Sequence, residues 1–540
     1  MQTSSVSRRG ALSRRGALRA LTVGAALTAG ALTTVEARAA EARAVEAPDA
    51  AGAAGAEPGT YALTLVHLDR DGRPTGSYDT RLTGISGPGA EQVVKPHDAS
   101  GTVTVRLPPG RYLLDSTVIG ARSSDWLVQP RLDLTRDTTV TVDARAARLV
   151  DVRPPGDAAE YRHGVTVVQA THDGTTREVS LLSNRPGLRI GHLGPDAEAG
   201  SVKQWFDGYW SAGAVNYGLG YVVTGRRALT GLTRHPTVRE LATVRVRAAA
   251  GPGPEGPGTI ELSPSTGLSL GLVHRLTAPD TATFLLTPER GAWDLGYGGP
   301  RDPEGRSNHY GVYGLSVRAG TTVTHTFDGP VFGPHLDARA GVTRDGGRLT
   351  VDVPLLADGD GHRPSAAPFD TATTTLHRNG APLGTATGSP GQAEFAVPPG
   401  PAAYRLTSTV ERRGAPGRTT GVSVTWTFRS RFGDGPVRLP VSVVRFAPEL
   451  SPAGTAAAGA SLTVPVAVLG AAAAATGRTL PPAVSVSFDG GASWRPLPVE
   501  GGAVTVRHPR TPGGVALRAE LTDGAGNTLT QTITDAYRTV

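Results

Sequence analysis

Residues 204–223 read QWFDGYWSAGAVNYGLGYVV, and the interpretation of the whole chain starts from this stretch. Aromatic residues make up 5% of the sequence, yet six of them lie between positions 205 and 221. Each buried aromatic ring removes a large apolar area from water. We therefore expect this stretch, with the later residues Trp293 and Tyr297, to form the best-packed core and the main recognition surface.

Short alternating runs flank the aromatic stretch on both sides. Residues 102–106, 243–247 and 348–353 place apolar side chains at every second position, which is the period of a half-buried strand. The 71 glycines and 43 prolines break these runs into short segments, and 540 residues are too many for a single core. The sequence therefore predicts an all-β fold of tandem β-sandwich modules around an aromatic-rich central β-domain.

Two turn motifs characterise the outer modules. Residues 101–112 read GTVTVRLPPGRY, in which Pro-Gly joins two alternating runs because proline fixes φ and glycine accepts positive φ. This pattern resembles the repeats of prealbumin-like, or carboxypeptidase-regulatory-like, β-sandwiches. Near the other end, Asp489-Gly-Gly491 predicts a hairpin turn, and the spacing of the short strands around it is typical of immunoglobulin-like or fibronectin-like domains.

These features predict six segments. They are a signal peptide (1–39), a disordered leader (40–58), a prealbumin-like β-sandwich (59–147), the aromatic-rich central β-domain (148–330), a β-sandwich (331–435) and an immunoglobulin-like β-sandwich (436–540). The pattern leaves open whether 148–330 is one domain or two, because the Gly-Pro-rich run 251–258 is read equally well as a loop or as a boundary.

The N-terminal segment predicts export. Two Ser-Arg-Arg runs precede an apolar run at 20–32, and Ala37 and Ala39 are the small residues that a signal peptidase reads. The apolar run is too short for a stable membrane anchor. The run after Ser7 resembles a twin-arginine export signal, and an ordinary secretory signal is the alternative. We expect a secreted protein with no integral membrane segment in the mature chain.

Charge and cysteine content exclude two classes of function. The formal net charge is +7, and six arginines and one glutamate in residues 1–39 account for five of these charges. The remaining +2 leaves no electrostatic footprint for nucleic acid. The chain has no cysteine, so disulfides and thiol chemistry are excluded.

Four runs outside the aromatic stretch resemble one family. Residues 127–145, 425–430, 484–494 and 517–527 are similar to the segment that follows the catalytic domain in large secreted subtilisin-family serine peptidases of actinobacteria. The resemblance covers roughly residues 60–540 and does not include the peptidase domain, whose Asp, His and Ser motifs do not occur here. It therefore implies a non-catalytic extracellular protein, and no catalytic residue is carried over.

One run matches a hydrolase motif by its letters. Residues 267–271 read GLSLG and fit G-x-S-x-G, whose serine in a hydrolase occupies a turn between a strand and a helix. Here strands are predicted on both sides of Ser269, so we expect a structural serine and no catalytic residue. No cofactor is predicted.

Metal ligands are not predicted either. The 13 histidines form no H-E-x-x-H motif and no i, i+4 pair. The Asp-rich runs 69–72, 358–361 and 523–527 are explained by turn formation, although sandwich loops could still assemble a calcium site from distant residues.

The aromatic residues are the candidate ligand-binding set. A platform that stacks on sugar rings or on a peptide would use Trp205, Tyr209, Trp210, Trp293 and Tyr297. The alternative is that most of them are core residues. Because neighbours in a strand point to opposite faces, one of Tyr209 and Trp210 is expected to be exposed.

Four functions follow, in decreasing order of support. The first is a non-enzymatic, secreted β-protein for extracellular binding or scaffolding. The second is a regulator or partner of secreted peptidases. The third is carbohydrate or cell-wall binding through the central aromatic residues. The last is a serine hydrolase that uses Ser269. The expected partners are an extracellular protein or polysaccharide, and the oligomeric state is left open.

Overall fold

The computed structural model describes residues 59–540, except 122, 157, 250–255, 303, 413–418, 434 and 475–480. The predicted signal peptide (1–39) and the predicted leader (40–58) lie outside the described residues. Within the described ranges the elements are 38 strands, three 3-10 turns (Ala144–Ala146, Val238–Glu240, Pro288–Arg290) and one short helix, α1 (Ala471–Ala474). The all-β prediction is confirmed.

The strands that begin before residue 330 number 21. In chain order they are β1 (Tyr61–Leu68), β2 (Tyr78–Ser86), β3 (Val93–Val94), β4 (Thr102–Leu107), β5 (Gly110–Ile119), β6 (Ser124–Leu134), β7 (Thr138–Asp143), β8 (Arg148–Val152), β9 (Glu160–His172), β10 (Thr175–Ser183), β11 (Leu188–His192), β12 (Val202–Ala212), β13 (Val215–Gly225), β14 (Leu232–Arg234), β15 (Ala242–Ala248), β16 (Pro257–Pro264), β17 (Leu272–Thr277), β18 (Asp280–Leu286), β19 (Trp293–Gly298), β20 (His309–Leu315) and β21 (Thr322–Phe327).

The remaining 17 strands follow. They are β22 (Gly341–Asp345), β23 (Arg348–Asp352), β24 (Pro364–Ala366), β25 (Thr371–Arg378), β26 (Ala381–Thr387), β27 (Gln392–Ala396), β28 (Ala402–Glu411), β29 (Gly421–Ser430), β30 (Pro436–Arg438), β31 (Ser442–Phe446), β32 (Thr455–Ala456), β33 (Ser461–Gly470), β34 (Ala483–Ser487), β35 (Arg495–Leu497), β36 (Ala503–Arg507), β37 (Gly513–Thr522) and β38 (Thr528–Thr539).

Four sheets stack in the N-terminal two thirds of the described chain. Sheet A has the order β4-β1-β7, sheet B β14-β8-β11-β6-β5-β2-β3, sheet C β10-β9-β12-β13-β18-β15-β21, and sheet D β17-β16-β19-β20-β24. Separate apolar cores fill the spaces between A and B, between B and C, and between C and D. Sheets B and C are thus covered on both faces.

The aromatic stretch supplies strands β12 and β13 of sheet C. These two strands pair from Val202↔Gly225 to Ala212↔Val215 around the turn at Gly213, which has φ +61°. A left-handed residue at this place is most easily occupied by glycine. The side chains of β12 alternate between the core shared with sheet B and the core shared with sheet D. This stretch therefore joins two cores.

Three further sheets form the C-terminal part. Sheet E has the order β27-β23-β22-β30, and sheet G has the order β31-β33-β36. Sheet F has the order β26-β25-β28-β29-β38-β37-β34-β35, with β32 beside β38. One continuous core, which includes Trp426 and Tyr537, connects all three sheets.

Several sheets continue across predicted domain boundaries. In sheet B, β11 pairs in parallel with β6, which brings Leu188 beside Ser124 across the boundary at 147/148. In sheet F, β29 pairs with β38 across the boundary at 435/436. In sheet D, β24 pairs with β20 across the boundary at 330/331. The six segments remain predictions, and the sheets do not end where three of those boundaries were placed.

No helix among the described residues has the length and apolar character needed to cross a membrane.

Candidate functional site

A buried ion pair lies at the centre of the aromatic region. Asp207 is on β12 and Arg290 is on the 3-10 turn that precedes β19. Arg290 Nε donates to Asp207 Oδ1 at 2.6 Å, and Nη2 donates to Oδ2 at 3.2 Å. The two side chains are 0% and 4% exposed. Such a pair is retained only when good geometry and further hydrogen bonds offset the loss of water.

Those further hydrogen bonds hold one loop, residues 265–271, which we call the anchored loop. Arg290 Nη2 donates to the carbonyl of Thr266 at 2.7 Å, and Trp205 Nε1 donates to that of Leu268 at 3.0 Å. His163 Nε2 lies 2.7 Å from the carbonyl of Gly271, and because a carbonyl only accepts, this nitrogen carries the proton. Three carbonyls of the loop are therefore held by two side chains of sheet C and by one from the 3-10 turn before β19.

The anchored loop contains the G-x-S-x-G run. Ser269 Oγ lies 2.8 Å from the hydroxyl of Tyr209. It also interacts with Asp207, and this hydrogen bond opposes the rise that burial causes in the pKa of Asp207. The neighbouring Leu268 and Leu270 are 46% and 59% exposed. The loop runs from β16 into β17, so strands lie on both sides of Ser269, as the sequence predicts.

Burial is the main influence on the titratable groups around Ser269. Burial raises the pKa of Asp207, an effect that Arg290 opposes, and burial also raises the pKa of Tyr209 far above its ordinary value. Burial lowers the pKa of His163, whose Nε2 proton is already bound to the Gly271 carbonyl. A serine nucleophile needs a neighbouring base that takes its proton. Here an acid reaches the hydroxyl, and no imidazole of the part of the chain that the structure describes lies between the two.

The five candidate ligand-binding residues are all buried. Their exposed fractions are 2% for Trp205, 0% for Tyr209, 6% for Trp210, 0% for Trp293 and 2% for Tyr297. The expectation that either Tyr209 or Trp210 is exposed is wrong. Their rings do point to opposite faces of sheet C, but sheets D and B cover those faces.

The buried rings have structural contacts. Trp205 stacks beneath the guanidinium of Arg290 at 5.5 Å, and Trp293 Nε1 donates to the Thr287 carbonyl at 3.3 Å. Tyr297 stacks on Phe327 with 5.5 Å between ring centroids. A role of these residues in ligand binding remains a prediction, and their burial does not favour it.

Trp210 differs from the other four because it borders a cavity. With Phe206 and Tyr161 it lines a cavity of about 260 Å³ that opens between sheets B and C. Tyr161 and Trp210 meet edge to face at 5.4 Å. Arg153 and Arg185 stand at the rim and are exposed. Sequence reasoning missed Tyr161 and both arginines, because they come from separate strands and loops with no local motif.

Two of the three Asp-rich runs, 69–72 and 523–527, are used within their own turns, whereas Asp360 of the third accepts from the backbone N–H of Thr326. Asp69 Oδ1 accepts from the backbone N–H groups of Asp71 and Arg73, and Asp523 Oδ1 accepts from those of Ala525 and Asn527. This is the turn-forming role that the sequence predicts. Among the described residues, no group of three or more His, Asp or Glu side chains is placed to hold a metal ion.

Comparisons with known proteins give little beyond the fold. No family model matches the chain, and no curated protein matches it. Among solved structures it is similar to the TIE protein of Bacillus anthracis, with 10% identity over 50% of each chain and a TM-score of 0.12. It is also similar to BcpA, the major pilin subunit of Bacillus cereus, with 10% identity over 50% of this chain and 98% of that chain and a TM-score of 0.12. A variant of BcpA gives a TM-score of 0.13.

The alignment spans about half the length of the Bacillus anthracis protein. Scores this low carry no argument about function. The comparisons give no support to the resemblance to peptidase tails.

Proposed function

We propose that this chain is a secreted, non-catalytic β-protein that works outside the cell by binding or spacing other molecules. The observation that carries the proposal is the arrangement around Ser269. Arg290, Trp205 and His163 donate to backbone carbonyls of the anchored loop, so the groups that could assist a nucleophile hold the loop in place. Export is supported only by the sequence of residues 1–39.

The test is turnover by the purified mature chain. Casein and p-nitrophenyl esters are incubated with the wild-type protein and with Ser269→Ala. We expect no release of peptides or of nitrophenol above the buffer rate with either protein. Turnover that disappears in Ser269→Ala, while the far-UV circular dichroism is unchanged, would overturn the proposal. Ser180→Ala serves as a matched control, since Ser180 is also on the central sheet but far in sequence from the anchored loop.

A second candidate, carbohydrate binding, is favoured by one observation. The cavity beside Trp210 combines an aromatic floor with two exposed arginines at its rim. Its volume of about 260 Å³ is small beside typical ligand sites, so it would hold one ring of a saccharide. A glycan array with wild-type protein and Tyr161→Ala tests this candidate. Equal signals from the two proteins, or a blank array, would argue against it.

The peptidase-partner hypothesis remains a proposal that rests on the resemblance alone. Its test is affinity capture of secreted peptidases by the immobilised mature chain, with an unrelated β-sandwich protein as the control bait. Recovery of no peptidase above the control would count against it.

A further inference from the structure

The larger of the two described cavities lies between the central sheets and the C-terminal part of the chain. Its volume is about 710 Å³. One wall is the end of sheet C, where β15, β18 and β21 contribute Arg247, Asp280 and Thr326. The other wall includes the turn at Asp360 and the segment after β31, which contributes Pro448 and Leu450. We call this cavity the inter-domain cleft.

Arg247 is the cationic side chain of the cleft and is not neutralised by a neighbour. It is exposed, and it forms no ion pair with any residue that the structure describes. The two acids of the cleft bind backbone groups instead. Asp280 Oδ1 accepts from the N–H of Thr281 at 2.7 Å, and Asp360 Oδ2 accepts from the N–H of Thr326 at 2.7 Å. An exposed guanidinium without an ion-pair partner is suited to bind a carboxylate through two parallel hydrogen bonds.

The other lining groups indicate what carries the carboxylate. Among the described residues, no aromatic side chain lines the cleft, so these residues offer no platform for stacking on sugar rings or nucleobases. Proline, alanine and leucine side chains supply the apolar part of the lining. The acids require a ligand that also brings hydrogen-bond donors. An extended peptide meets all three conditions, since it offers small apolar side chains, backbone N–H groups and one terminal carboxylate.

We propose that the inter-domain cleft binds the C-terminal end of an extended peptide and that Arg247 pairs with its terminal carboxylate. This inference rests on the proposed function, because it gives the binding protein a ligand class. The volume of about 710 Å³ lies within the usual range for ligand sites and fits a short segment of a peptide.

The test compares two probes and two variants. The probes are a fluorescein-labelled pool of random hexapeptides with free C-terminal carboxylates and the same pool prepared as C-terminal amides. The variants are Arg247→Gln and Arg245→Gln. Arg245 is the matched control because it is also exposed on β15, on the same side of the strand, and does not line the cleft.

Fluorescence anisotropy should show binding of the free-acid pool that is at least about tenfold tighter than that of the amide pool. Arg247→Gln should abolish this difference and Arg245→Gln should retain it, because loss of a charge-assisted pair changes affinity by about a factor of ten or more. Equal binding of the two pools, an unchanged preference in Arg247→Gln, or no binding of either pool would overturn the proposal.

Mass spectra of the probes after incubation separate this inference from the proposed function. Intact probes with no acid preference defeat the cleft proposal and leave the non-catalytic function standing. Cleaved probes defeat the non-catalytic function itself.

Discussion

Removal of Arg290 should destabilise the centre of the molecule strongly. In Arg290→Met the buried carboxylate of Asp207 loses its only cationic partner among the described residues, and the Thr266 carbonyl loses its donor. Both side chains are almost fully buried, at 0% and 4% exposure, so water cannot replace the guanidinium without entering the core. Breaking one side of a buried pair costs about 3–5 kcal/mol of unfolding free energy, and we expect a loss in this range.

The assay is denaturant unfolding followed by tryptophan fluorescence, because Trp205 and Trp293 both lie in this region. Hydrogen exchange of residues 265–271 should become faster in the variant, since the anchored loop loses the hydrogen bond from Arg290 to the Thr266 carbonyl. Arg306→Met is the control: Arg306 pairs with Asp302 at 2.8 Å but is 51% exposed, so its loss should cost less than about 1 kcal/mol.

Two further measurements decide whether the charge is the cause. In Arg290→Met, burial raises the pKa of Asp207 without an opposing cation, so the folded state binds a proton more tightly than the unfolded state. Its stability should then fall as pH rises above about 4, the pKa of the carboxyl group in the unfolded state, toward the raised folded value. The double variant Asp207→Val/Arg290→Met removes both charges and should recover at least half of the loss. A loss below about 1 kcal/mol, or a double variant no more stable than the single one, would refute the reasoning.

Three other predictions concern the C-terminal part and the junction before it. Arg445→Met should lower the unfolding free energy by about 3 kcal/mol or more, because the carbonyls of Val331, Gly333 and Asp358 would lose the buried guanidinium that donates to them. A shift in the urea midpoint no larger than that of Arg306→Met would contradict this prediction. Burial lowers the pKa of His325 and His335, so the stability that their neutral forms contribute should be complete above the unfolded pKa of about 6.5 and should be lost as the pH falls toward the lower folded values. Thermal unfolding between pH 7.5 and 5 should therefore show a Tm that falls with pH, and the fall should be less steep in His325→Gln. Gly391→Ala should lower the unfolding free energy by about 1–3 kcal/mol, because φ is +71° and the new Cβ would meet a backbone oxygen. Gly490→Ala, at the same φ but with open space around the new Cβ, should lower it less, and differential scanning calorimetry can compare the two.

The local pattern of the sequence predicts strands well and predicts their partners poorly. Residues 243–247 lie within β15, and residues 348–353 cover β23 and the residue that follows it, as their alternation indicates. Alternation reports which side chains share a face, but it carries no information about which strand lies alongside. The pairing of β11 with β6, and of β29 with β38, joins residues about 60 and more than 100 positions apart, so no short window contains it. Boundaries placed where a run of predicted strands ends therefore do not report whether a sheet continues beyond them.

The same reasoning explains the outcome for the candidate site. The alternation rule correctly places Tyr209 and Trp210 on opposite faces of β12. Their exposure depends on whether each face is covered, and the covering sheets D and B are built mostly from residues far from β12 in sequence. A cluster of large rings in a two-sided buried strand is what a central strand between two cores requires, because both of its faces must fill space. The aromatic stretch was thus a reliable sign of the core and a poor sign of a surface. Arg247 occupies an ordinary position in a regular strand and has no sequence signal. It becomes a candidate only because the segment after β31 lines the same cleft as the end of sheet C.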